Sequence, residues 1–486
     1  MISTFATRSA LAAPLFGMPS TYQIDSSPLR VVAGDIDAKN GIDLITGNDT
    51  GENGPSLSIL LNRGQGTFQS EVRQNLDASR DLLQAIAVGD FNRDHATDVA
   101  VAIDDLSIFP TQTVVLVFRN NGSGQLSSPD EYPLHGFFPQ CLEAQDVNND
   151  GILDLVVCHS TSDTGEGLLT VLTGRANGGT PNGSFDSGVD FKVGTTPATI
   201  AVGDVDGDGR NDVVVGDTDR RRVFLLYGTG NATLLAAPVD VVDVDAPSAL
   251  RIRQTPGDPF PEVLVSSLAS SQVLILRQTA ARVFAPPVPL AVGQTSSDMG
   301  VADFDGDGIT DLALLSPVGG KLNIWYGGAD GGFSFGETVS VDDAANSLAV
   351  ADLNADGKPD VATTSFVTDK VTVALSGGAR PTSTATGTRT PSPSRTVTPT
   401  LTRVVSATPT ATPTRTPSPR NTPTATLTPS GPGDANCDGR IDAQDIDGVI
   451  ARLFAPGCGG ADVDGDGAVT VSDLVLLIQM VSEAAQ

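Results

Sequence analysis

Histidine is scarce in this chain: three in 486 residues, His95, His135 and His159. Their positions show no Ser/His/Asp order and no histidine metal cluster, so no catalytic constellation emerges. A single tryptophan, Trp325, and four tyrosines leave few exposed-aromatic candidates for stacking on sugar rings. Basic residues number 29 against 58 acidic, a formal net charge of -29. That imbalance argues against nucleic acid, whose phosphates demand Lys and Arg, and against an anionic membrane surface. No stretch is long and apolar enough to span a bilayer. The run Met1 to Phe16 is only weakly apolar and Arg8 interrupts it, so it does not read as a secretory signal. Cysteine is limited to four residues, in two local pairs, Cys141/Cys158 and Cys437/Cys458. Paired cysteines suit an oxidising compartment; four buried thiols are the other reading.

Glycine, by contrast, is abundant at 52 residues, which favours tight turns between many short strands. The segment AVGDFNRDHATDVAVA recurs as AQDVNNDGILDLVV, AVGDVDGDGRNDVVV, VADFDGDGITDLALL and VADLNADGKPDVATT. A weaker copy, AGDIDAKNGIDLITG, precedes them. Most steps between the leading acids Asp35, Asp90, Asp146, Asp204, Asp303 and Asp352 are roughly fifty to sixty residues, the period of a repeat architecture. The step from Asp204 to Asp303 is about twice that, and a degenerate copy, Ala249 to Val265, lies between. Seven units result.

Each unit has one grammar. An apolar strand enters the acidic loop, a second leaves it, and a third follows. A Gly-rich turn such as Asn62 to Phe68, Asn120 to Leu126 or Gly327 to Phe333 then leads to a fourth. Four antiparallel strands repeated radially are the blades of a β-propeller. The seventh unit has only three strands, and Phe16 to Ile24 resembles a fourth strand. We expect it to complete the last blade and remove the open sheet edge.

Five loops share a frame of hard oxygen ligands: Asp90/Asn92/Asp94/Asp98, Asp146/Asn148/Asp150/Asp154, Asp204/Asp206/Asp208/Asp212, Asp303/Asp305/Asp307/Asp311 and Asp352/Asn354/Asp356/Asp360. Such side chains surround a calcium ion at about 2.3–2.6 Å, whereas zinc and copper prefer nitrogen and sulfur. Without an ion the carboxylates repel one another, at roughly 4 kcal/mol for a 4 Å contact at an effective dielectric of about 20. The bland alternative is that Asp and Gly simply make good turns. In the first unit Lys39 stands among Asp35, Asp37 and Asp43, and its ammonium is expected to replace the ion. In the fifth, Pro259 and Pro261 interrupt the loop, Glu262 is the acid near its end, and no ion is expected.

These repeats resemble the FG-GAP, or VCBS, repeats of integrin alpha subunits and many bacterial surface proteins, over roughly residues 1–378. The resemblance implies an all-β seven-bladed propeller holding about five calcium ions, mainly structural.

Residues 379–431 are dominated by Thr, Pro, Ser and Arg, too polar to fold, and read as a semi-rigid spacer. Residues 432–483 carry two further acidic loops, DANCDGRIDAQD and DVDGDGAVTVSD, each leading into an apolar helix. Their candidate ligands are Asp434, Asn436, Asp438, Asp442 and Asp445, then Asp462, Asp464, Asp466, Thr470 and Asp473, with Asp rather than Glu at the twelfth position. This duplicated pattern resembles a type I dockerin, a small α-helical domain with two EF-hand-like calcium loops. It implies two more calcium ions and a cohesin-like protein partner. A calcium-folded terminal cap is the structural alternative.

The sequence thus points to an extracellular or cell-surface, non-enzymatic binding or adhesion protein with a docking domain. A carbohydrate-active component of a cohesin-dockerin assembly, a glycoside hydrolase or lyase, is the alternative.

Overall fold

The computed structural model describes residues 14–51, 54–76, 80–105, 112–160, 165–230 and 238–377. The spacer, both C-terminal acidic loops and the Cys437/Cys458 pair lie outside these residues. Seven four-stranded antiparallel sheets follow one another as the blades of a propeller. Their innermost strands are Pro28–Gly34, Arg80–Gly89, Phe137–Gln145, Pro197–Gly203, Pro247–Arg253, Asp298–Ala302 and Ala345–Ala351. Each packs on the next, and Ala345–Ala351 packs back on Pro28–Gly34, closing the ring.

The closing blade draws on both ends of the described chain. Ser20–Gln23 pairs antiparallel with Lys370–Ala374, with Ser20 opposite Val373 and Gln23 opposite Lys370. Phe16 bridges Ser376 beyond the strand. The N-terminal segment therefore supplies the fourth strand that the seventh unit lacks. The degenerate fifth unit likewise forms a full blade, with its Glu262–Ser267 strand between Pro247–Arg253 and Gln272–Leu276.

Burial explains the composition of each strand. Second strands such as Asp212–Asp217 and Asp311–Ser316 are buried along their whole length, because blades pack face to face and cover both sides. Their apolar runs are therefore continuous rather than alternating. Fourth strands such as Val189–Lys192 lie at the rim and are largely exposed. Seven apolar clusters occupy the seven interfaces between neighbouring blades. Stability is thus a sum of blade-to-blade contacts, with no single central core.

Two blades carry an extra outer hairpin between the third and fourth strands: Gly174–Asn177 with Thr180–Phe185, and Gln278–Ala280 with Val283–Phe284. Nothing in the repeat pattern distinguishes them. A disulfide joins Cys141 to Cys158, which face each other on the first two strands of the third blade with Cα atoms 5.1 Å apart.

Candidate metal centres

All six regular acidic loops connect a first strand to a second on one face of the ring. The last acid of the frame begins the second strand: Asp43, Asp98, Asp154, Asp212, Asp311 and Asp360, each fully buried. Asp212 shows why an acid stands there. One oxygen accepts the Val205 N–H at 2.9 Å inside the loop, and the other accepts the Gly228 N–H at 2.8 Å where the third strand ends. The same pair of bonds recurs at Asp43, Asp98, Asp154, Asp311 and Asp360. Burial pushes these carboxyls up, to about 6 in five and about 7 in Asp311, with the backbone donors opposing the rise. The ninth-position acid therefore ties the loop to the blade as well as offering itself as a ligand.

The other ligand positions are pinned with equal regularity. In the fourth blade Asp204 accepts the N–H groups of Gly207, Asp208 and Gly209, Asp206 accepts that of Asp208, and Asp208 accepts that of Arg210. The sixth blade repeats every one of these bonds. Loops with Asn at the third position keep the pattern, with Asn92, Asn148 and Asn354 accepting through Oδ1. The loop turns through a left-handed residue at the sixth position, Gly209 at φ 86 and Gly308 at φ 84. His95 takes that place in the second blade at φ 69, a conformation a side chain tolerates poorly.

Three loops bring carboxylate oxygens within 4.8 Å of one another: Asp204/Asp206/Asp212, Asp303/Asp305/Asp311 and Asp35/Asp37/Asp43. The donor set is all oxygen, which fits a hard cation.

The fifth-position acids do not join these clusters. Asp208 and Asp307 stand outside their trios. Asp94, Asp150 and Asp356, expected as ligands in the second, third and seventh blades, are exposed and belong to no acidic trio among the described residues. The turn itself engages them. Asp94 accepts the Ala96 N–H at 2.9 Å, Asp150 the Ile152 N–H at 2.8 Å, and Asp356 the Lys358 N–H at 2.9 Å. In two of these loops the amide of the third-position Asn also donates to the remaining oxygen, Asn92 to Asp94 at 3.0 Å and Asn354 to Asp356 at 3.3 Å. With Asn at the third position these loops have one carboxylate fewer, and the Asn Oδ1 takes the corresponding oxygen position.

In the first blade the trio stands beside Lys39, whose ammonium was expected to replace the ion. That ammonium lies 3.6 Å from Asp37 and the side chain is 63% exposed. Asp35 Oδ1 is buried with no hydrogen-bond partner, an atom to which a cation would be suited.

The fourth blade's trio carries its own cation, supplied by the next blade. Arg282, at the turn of an outer hairpin, donates to Asp206 at 2.6 Å and approaches Asp208 at 3.4 Å. Its guanidinium stacks 4.2 Å over the ring of Tyr227. Gln278 holds the hairpin down through the Val205 carbonyl. The sequence reading missed this contact, because no local pattern links Arg282 to a loop so far upstream.

In the fifth blade Glu262 stands where the other loops have Asp. Arg253 and Arg277 donate to its two oxygens at 2.6 and 2.5 Å, and the Arg253–Glu262 pair is 1% exposed on each side. Arg253 also donates to the Gly331 carbonyl of the sixth blade and lies 4.0 Å over Phe333. A buried ion pair thus ties this blade to the next.

The histidines are brought closer together than their positions suggest. His159 is buried within a strand, with Nε2 2.7 Å from Thr170 Oγ1. Thr170 donates to Asp190 at 2.7 Å, and His135 lies 3.2 Å from the same carboxylate. Burial pulls His159 down to about 4, so it is neutral. Thr170 is 1% exposed and cannot meet a substrate, so the chain of groups is structural.

A model of the FG-GAP-like repeat matches residues 146–215 and 303–363, the spans that hold the acidic loops of blades three, four, six and seven. Over 143 residues, 27% of this chain, the sequence is 29% identical to Integrin alpha-4 of Xenopus laevis, covering 14% of that protein. Among solved structures, a lectin of Agrocybe aegerita, reported for its recognition of non-reducing terminal N-acetylglucosamine, aligns at a TM-score of 0.46 and 15% identity. That alignment covers 74% of this chain and 96% of the lectin. The chain carries FG-GAP-like repeats, is similar over part of its length to an integrin alpha subunit, and is folded as a seven-bladed β-propeller.

Proposed function

We propose that this chain is a calcium-stabilised binding or adhesion protein of the extracellular space or cell surface. The observation that carries the reading is the shared frame of the acidic loops. Oxygen ligands from one loop are pinned by backbone donors and, in three loops, gathered toward a point. Asp90, Asp146, Asp204, Asp303 and Asp352 with their partners would hold the ions. In the second, third and seventh blades an ion would have to draw Asp94, Asp150 and Asp356 inward from their turn bonds. A bound ion would neutralise carboxylates that otherwise repel, and so fix the loop face of each blade. The integrin likeness supports a non-enzymatic role.

The sequence of residues 432–483 supports a second element of the same reading, a calcium-folded docking module for a cohesin-like partner. A pull-down from the native secretome, with and without calcium, tests both roles. Capture of a surface protein, glycan or cohesin-like module only with calcium supports the reading. Turnover of a polysaccharide would move the protein to the carbohydrate-active class.

A further inference from the structure

The axis of the propeller holds a chamber of about 200 Å³ lined by the inner strands of all seven blades. We infer that this chamber binds a small aliphatic carboxylate, with the guanidinium of Arg30 as its anchor.

Arg30 is the chamber's uncommitted charge. The charges acting on it are Asp298, which favours the cation, and Arg251, which opposes it. Asp298 is already saturated. One of its oxygens accepts from Arg251 at 3.1 Å and from the Met299 N–H at 2.7 Å. The other accepts from the Leu348 N–H at 2.9 Å and from Ser347 at 3.4 Å. A carboxylate offers about four lone-pair sites, and all four are taken. Arg251 is committed as well, through Asp298 and the Leu250 carbonyl. Among the described residues no acid lies within ion-pair distance of Arg30.

Arginine cannot escape this position by losing its proton, since it stays charged in proteins. Arg30 is half-buried, so its charge is partly desolvated without an acid beside it, and an incoming anion offsets that cost. The planar fork of the guanidinium matches a carboxylate in two parallel hydrogen bonds, which a halide cannot make. Size and shape refine the class. Drug-sized ligands fill larger pockets than this. An adjoining cavity of about 400 Å³ shares Val32, Ile86, Leu142, Glu143 and Arg251 with the chamber and adds Ala201 and Leu250, room for a short tail along its aliphatic side.

Glu143 gives the site a pH response. Burial pushes it up to about 7 against the opposing effects of Arg251 and the Val202 N–H. The charged groups facing the chamber around it are Arg30, Arg251 and Asp298, with the neutral Gln84–Gln140 pair beside them. Above its pKa Glu143 is an anion and repels a carboxylate; below it that repulsion disappears.

The test uses the full chain and butyrate as the probe, followed by calorimetry and by saturation-transfer NMR. One-to-one binding is expected that weakens at least tenfold in Arg30→Gln, is absent for butyramide, and strengthens between pH 8 and pH 6. In Glu143→Gln the pH response should flatten. Equal binding of butyramide and butyrate by the unaltered protein would overturn the proposal, and that comparison needs no variant to fold. So would displacement of butyrate by equimolar chloride, or unchanged affinity in a folded Arg30→Gln.

Discussion

Arg282 and Asp206 form a 2.6 Å ion pair between the outer hairpin of one blade and the acidic loop of its neighbour. The carboxylate is almost fully buried while the arginine is 44% exposed, so the guanidinium works as a lid on the loop. It sits beside one of three carboxylate trios. Two cations cannot share one carboxylate cluster cheaply, so the lid and an ion should compete there.

Replacing Arg282 by Gln should therefore cost about 1 kcal/mol of stability in EDTA, the upper range for a partly exposed pair. With saturating calcium the cost should shrink or change sign. Thermal melts in the two conditions measure this, and an identical loss in both would contradict competition.

Glu262→Ala should be far more damaging. It leaves Arg253 buried and unpaired, a change that costs about 3–5 kcal/mol. The loss should be the same with and without calcium, because this blade uses arginines where the others have a carboxylate frame. Denaturant unfolding reads it directly.

The Cys141–Cys158 bridge closes a short loop, with a sequence separation of 17. Chain-entropy reasoning gives about 3 kcal/mol for a loop of that order. The double variant Cys141→Ser with Cys158→Ser should melt lower than the parent. An unchanged transition would mean that strand pairing alone constrains the unfolded chain there.

His159 fixes a pH dependence of definite sign. Its pKa falls from 6.5 in the unfolded chain to about 4 in the folded protein because of burial. The unfolded state therefore binds more protons between these values, and stability falls as pH drops through that window. The full effect is about 3 kcal/mol. The buried aspartates at about 6 contribute with the opposite sign, so the His159 effect is read as a difference: the melting temperature of His159→Asn minus that of the parent should rise from pH 7 to pH 5.

Much of the fold was legible because a repeat multiplies a weak local signal. One loop such as Asp90 to Asp98 is only a good turn, but the same frame recurring around the chain implies blades, and the three-stranded last unit implies closure by residues 16–24. The ninth-position acid was legible as a ligand but not as the two-handed tie between loop and third strand, since Gly228 and its equivalents carry no side-chain signal. The fifth-position acids Asp94, Asp150 and Asp356 were read as ligands from a frame shared by five loops. Spacing does not reveal that the N–H two residues on, and in two loops a neighbouring Asn amide, claim the same oxygens. Arg282, Arg253 and Arg30 were not legible at all. Arg282 and Arg253 acquire their roles through contact with another blade, and Arg30 is placed by the axial chamber; neither kind of placement leaves a periodic trace in the sequence. In the first loop Lys39 pairs with Asp37 at 3.6 Å while its side chain stays 63% exposed, a balance that spacing alone does not show.

The central claim is that calcium holds the loop face of the propeller. A site kept at 100-fold over its dissociation constant contributes about 2.7 kcal/mol, so several such sites should shift the melting transition of the full chain markedly. The direct measurement is calorimetric melting in excess calcium and in excess EDTA, repeated with Asp303→Ala/Asp305→Ala to remove one trio. If calcium holds the loop face, the transition drops clearly in EDTA and the variant shows a smaller calcium response. Superimposable transitions in calcium and EDTA would contradict it.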